Sequence, residues 1–91
     1  MKNVSGIYAI LVTDRTLNVD VSAGAAALTF PTPANGLRFV VKDSHGNSAT
    51  NPITMVPHAG EKIEGIAGNR VCSADWNSWT WYSDGVDWFL E

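Results

Sequence analysis

Apolar and polar residues alternate along most of this chain, and no stretch of useful length repeats with the period of about 3.6 residues that marks a helix. Residues 16–21 set Leu17, Val19 and Val21 to one side and Asn18 and Asp20 to the other, as a half-buried strand does. Residues 27–30 offer Leu28 and Phe30 to one side, and residues 37–42 oppose Leu37, Phe39 and Val41 to Arg38, Val40 and Lys42. The apolar run within residues 6–13 predicts one strand buried on both faces. Asn51-Pro52 keeps the chain extended into a strand at 53–56, which Pro57 ends, and Val71-Cys72 forms a further short strand. Between these lie turn residues: Asp14-Arg15, the Gly- and Ala-rich 22–26, Pro31 and Pro33, Asn35-Gly36, and Asp43 to Asn47, where Gly46 or Asn47 is expected to take positive φ. Gly60, Gly65 and Gly68 punctuate a segment whose apolar pair is Ile63 and Ile66. The pattern predicts one all-β domain over residues 1–91, a small compact antiparallel β-sandwich or barrel of about eight short strands.

The last segment, WNSWTWYSDGVDWFLE, completes the pattern with a hairpin. Asp84-Gly85 between two aromatic runs signals a two-residue turn, which pairs Ser83 with Val86, Tyr82 with Asp87, Trp81 with Trp88, Thr80 with Phe89 and Trp79 with Leu90. Alternation then gathers Trp79, Trp81, Val86, Trp88 and Leu90 on one apolar face, with Thr80, Tyr82, Asp87 and Phe89 on the other. Such a face is core, subunit contact or sugar-stacking platform. Trp76 and Trp79, beside the hydrogen-bonding Asp75 and Asn77, are the carbohydrate-binding candidates.

Composition narrows the partners. The chain has 91 residues, 45% of them hydrophobic, which argues against disorder and gives a core small enough that self-association would help stability. A single cysteine, Cys72, excludes an intramolecular disulfide and reads as a buried free thiol. The formal net charge of −3 and six scattered Lys and Arg leave no basic stripe for a nucleic acid. The run Ile7 to Val12 is too short to span a membrane and lacks the flanks of a signal peptide. His45 and His58 stand apart, with no ligand spacing near them, and read as solvated loop residues. Asp43 and Asp84 are explained by turn chemistry. No Gly-x-Ser-x-Gly, paired carboxylates or cysteine signature points to catalysis. No enzyme activity, metal site or cofactor is expected.

The segments VKDSHGNSATNPITMVP, GEKIEG and WYSDGVDWFL resemble β modules of tailed-bacteriophage virions, found in fibre, head-fibre and decoration proteins. The matching positions are Lys42, Asp43, Gly46 and Asn47; Asn51, Pro52, Ile53 and Thr54; Ile63, Glu64 and Gly65; and Ser83, Asp84, Gly85 and Trp88. A weaker echo lies in LTFPTPANGLRFVVKD. The resemblance implies a virion structural protein, made in the host cytoplasm without a signal peptide. It further implies a homotrimer attached to capsid or tail proteins and, in some cases, binding a host surface glycan. The sequence departs from the modules in carrying Trp76, Trp79 and Trp81 besides the tryptophan after the Asp-Gly turn.

Overall fold

The computed structural model describes residues 1–91. Its elements are all strands: β1 (Lys2–Val4), β2 (Ile7–Ala9), β3 (Thr16–Val19), β4 (Ala26–Thr29), β5 (Arg38–Asp43), β6 (Ile53–Val56), β7 (Arg70–Cys72), β8 (Ser78–Ser83) and β9 (Trp88–Leu90). They form a five-stranded sheet in the order β1-β3-β5-β8-β9 and a four-stranded sheet in the order β2-β4-β6-β7.

Pairing is mixed, which corrects the antiparallel expectation. The chain changes sheet after each of its first five strands, so β1, β3 and β5 run parallel in one sheet and β2, β4 and β6 run parallel in the other. The result is three coils stacked edge to edge, each giving one strand to each sheet. The antiparallel pairs β5–β8, β6–β7 and β8–β9 then close the far end. Alternation reports which face a residue takes and carries no information on strand direction, so this order was not readable from periodicity.

The inward faces are as the alternation predicts. Leu17, Val19 and Val21, Leu28 and Phe30, and Phe39 and Val41 are all buried and belong, with Ile53, Met55, Cys72 and the hairpin tryptophans, to one hydrophobic cluster drawn from both sheets. Burial of such side chains contributes roughly 1.5–3 kcal/mol each, and supplies the main force joining the sheets. Of the pair Ile63 and Ile66, only Ile63 is buried.

The run at 6–13 departs from its expected strand. Gly6 takes φ 65° and breaks it, so that β1 ends before it and β2 begins after it, and Ile7 is 90% exposed while Ile10 is buried. Leu11 and Val12 lie exposed in the following turn. A polar cluster pins this first coil: Lys2 Nζ donates to Tyr8 Oη at 2.8 Å, Tyr8 Oη donates to Asp14 Oδ2 at 2.7 Å, and Lys2 sits 3.3 Å from Asp14 Oδ1.

Candidate functional site

The hairpin keeps its faces but not its register. Ser83 pairs with Trp88, Tyr82 with Phe89 and Trp81 with Leu90, so the turn spans residues 84–87 and the strands are offset by two residues from the expected pairing. Asp84 causes the wider turn: its Oδ1 accepts from the Val86 and Asp87 N–H groups, both at 2.9 Å, and these amides hold its pKa below the usual carboxylate range. An offset of two preserves parity, which is why Trp79, Trp81, Trp88 and Leu90 still share a face. Val86 does not join them. It lies in the turn and is 68% exposed, a correction to its expected place on the apolar face.

Trp81 and Trp88 are not cross-strand partners. They meet through Phe30, which stacks on Trp88 at 4.6 Å between ring centroids and meets Trp81 edge-on at 5.4 Å, while Phe39 packs edge-on against Trp88 at 5.5 Å. Both indoles are fully buried within the single chain, and neither ring N–H has a hydrogen-bond partner. Trp79 is 9% exposed, on β8 opposite Val41. Leu90 is half-buried at the rim.

Trp76 lies elsewhere, in the loop between β7 and β8, and is 61% exposed. The structure therefore separates it from Trp79 and gives no joint tryptophan platform. Three contacts fix Trp76. Its N–H donates to Asp43 Oδ2 at 3.0 Å, its carbonyl accepts from Lys42 Nζ, and its ring lies so close over Gly46 that a Cβ there would overlap the indole. The residue adopts φ 63°, a left-handed conformation that is strained for a bulky side chain. Its neighbours are partly engaged: Asp75 Oδ1 accepts from Ala49 N–H at 2.9 Å, and Asn77 gives its carbonyl to Asp43 N–H at 3.0 Å.

Asp43 is the centre of this corner. It ends β5 with its side chain wholly buried, and its Oδ1 accepts from the N–H groups of His45 at 3.3 Å, Gly46 at 3.0 Å and Asn47 at 3.4 Å. Oδ2 accepts from Ser48 and Trp76, both at 3.0 Å. Burial pushes the carboxyl up, but these amides outweigh it and hold the pKa at about 2; the adjacent Ser48 hydroxyl, without a well-formed hydrogen bond of its own, adds to the pull. Gly46 takes φ 73°, as one of the two expected positions. The sequence marked Asp43 as a turn residue. Its link across to Trp76 joins positions far apart in the chain and left no local signal.

The largest open groove, about 610 Å³, lies at the hairpin tip between Thr32, His58, Glu61, Lys62, Val86 and Asp87. Its carboxylates are tied to the backbone, Glu61 accepting from His58 N–H at 2.6 Å and Ala59 N–H at 2.7 Å, and Asp87 from Lys62 N–H at 2.9 Å. Cys72 is buried on β7, where desolvation pushes its thiol up to about 12 against the opposing charge of Arg70.

The outer faces of the two sheets differ in kind. Register places Asn3, Asn18, Lys42 and Ser78 in one row of the five-stranded sheet and Arg38, Tyr82 and Phe89 in another, with Arg38 paired to Glu91. On the four-stranded sheet the rows are Ile7, Ala27, Thr54 and Val71, and then Ala9, Thr29 and Val56. That second face carries no charged side chain. A scan against protein-family models and a search of curated proteins match nothing to this chain.

Proposed function

We propose that this chain is a structural protein of a tailed-bacteriophage virion, a small homotrimeric module that decorates the capsid or forms a short head or tail fibre. On this reading the two sheets make a small sandwich whose outward surfaces bind other copies and a capsid or tail protein. The observation that supports it best is the uncharged outer face of the four-stranded sheet, bounded by the exposed Ile7 and Val71. Apolar surface of this kind marks contact sites between proteins. The contact surface lies here because the hairpin tryptophans are already covered inside one chain. Three weak contacts of one trimer with a symmetric site gain avidity without any single contact being strong.

The test is light scattering of the purified protein together with co-sedimentation on virions stripped of surface proteins. A trimer that binds particles, and loses assembly on Val71→Glu while keeping the circular dichroism of the folded sheets, supports the reading. A monomer that never binds particles refutes it.

A second reading has one observation in its favour. Trp76 is the accessible indole among four, held in a strained and fixed pose, as a residue stacking on a host surface glycan would be. Acrylamide quenching of tryptophan fluorescence, with and without host polysaccharide, reads this residue almost alone. Protection that disappears in Trp76→Phe supports a glycan site, and unchanged quenching refutes it.

A further inference from the structure

The edge of the four-stranded sheet at β2 is open, and its geometry points to a specific occupant. Two flanking bonds fix the ladder: Ala27 N–H donates to Gly6 O and Ile10 N–H donates to Thr29 O, each at 2.9 Å. In a parallel pair the bonded residues alternate, so Gly6, Tyr8 and Ile10 face β4, and the N–H and C=O groups of Ile7 and Ala9 face outward. Both residues are exposed. The far edge of the other sheet is treated differently: Trp88 N–H donates to Lys62 O at 3.0 Å, Glu64 N–H donates to Trp88 O at 2.9 Å, and Leu90 N–H donates to the Glu64 carboxylate at 3.1 Å. That edge is covered. Apart from the shortness of β2, the edge is not blunted: no charge and no proline occurs from Ser5 to Thr13.

We propose that β2 pairs antiparallel with β2 of a second copy of this chain, about a two-fold axis through Tyr8. That register sets Ile7 opposite Ala9 of the partner copy, and Ala9 opposite its Ile7. Residues directly opposite in a narrow pair exchange both of their bonds, so the four outward groups of each copy are all satisfied, in four hydrogen bonds. A bulky Ile7 then meets a small alanine on the same face. The four-stranded sheets join across the axis, and the uncharged outer face runs on without a break. The paired segment carries no charged side chain, so the net charge of −3 on each copy meets no charged group at this edge. The contact is short, at the small end of protein interfaces, so it forms in a concentration-dependent way. It goes beyond the assembly reading above, because a two-fold contact either stands alone as a dimer or joins two trimers, and both masses are even multiples of the chain.

Two measurements on the intact protein test it. Light scattering over a wide dilution range is expected to give a dimer or hexamer that halves on dilution, and Ala9→Pro should give the halved mass at all concentrations. The Ala9 N–H is not used within the chain, and proline is tolerated on an edge strand, so this variant retains the fold. Ile7→Lys, at a residue 90% exposed, is the second variant and should behave likewise. Amide exchange by NMR gives an independent reading: Ile7 and Ala9 amides are protected at high concentration and lose protection at least tenfold on dilution, while Tyr8 is protected throughout. A protein that stays a monomer or trimer, or an even assembly that survives both variants, overturns the edge pairing. A trimer that still binds virions would do so while leaving the virion reading intact.

Discussion

Replacing Asp43 by asparagine isolates a buried carboxylate that accepts from five backbone N–H groups. The folded carboxyl titrates at about 2 against an ordinary 3.8, so the folded state binds the proton less tightly than the unfolded chain does. At roughly 1.4 kcal/mol per pKa unit that difference is about 2.5 kcal/mol of stability at neutral pH. Because the folded pKa is the lower one, the contribution is complete above about pH 5, declines as the pH falls through 3.8 towards 2, and is gone below that. Asparagine keeps the size but turns one acceptor oxygen into a donor, facing either the three amides at Oδ1 or the two at Oδ2. A buried donor left without a partner costs about 1–3 kcal/mol, so the variant should lose at least about 2 kcal/mol. Urea unfolding of both proteins at pH 7, 5, 3 and 2 measures the gap. It should be widest at pH 7 and narrow towards pH 2, where the wild-type side chain is itself losing its charge. Asp14, Asp20, Glu61 and Asp84 also have lowered pKa values, but they are common to both proteins and cancel in the difference. A gap below about 0.5 kcal/mol at neutral pH, or one that does not change with pH, would refute the reasoning.

Other outcomes follow from the same geometry. Trp88→Ala empties the stack on Phe30 and Phe39 and should destabilise by about 3–5 kcal/mol, whereas Val86→Ala, in the exposed turn, should stay within about 0.5 kcal/mol; equal effects in thermal melts would show the hairpin assignment to be wrong. Gly46→Ala combines positive φ with overlap on the Trp76 ring, and should lose about 1–2 kcal/mol while raising acrylamide quenching as the indole is displaced; an unchanged quenching constant contradicts the packing. Cys72 should resist iodoacetamide in native protein at pH 8 and react fully in urea, and fast labelling without denaturant would mean its strand opens readily.

Much of the fold was legible where one face is wet and the other dry. Leu17, Leu28, Phe30, Phe39 and Val41 show their burial in simple alternation, and the hairpin tryptophans kept their face because the actual turn shifts the register by an even number. What escaped the sequence depends on distant partners. The run from Ile7 to Val12 is apolar enough for a central strand, yet it forms the last strand of a sheet and the turn beyond it, because Gly6 breaks the chain and nothing pairs with β2 on its outer side. Trp76 and Trp79 are close in sequence and read as one patch. One is carried by a loop held to Asp43, the other by a strand facing the core.

The stacked coils also bear on how the chain folds and where it opens. Each parallel pair closes a loop of more than a dozen residues before its first bond forms, while β8 and β9 need only a short turn. Loop-closure entropy therefore favours the aromatic hairpin as the first structured element, while β5 reaches β8 only by closing the longer loop that carries β6 and β7. The amino-terminal coil, held on one side only, opens first. Amide exchange should find its lowest opening free energy there and its highest in β5 and β8, a gradient that runs against the direction of synthesis.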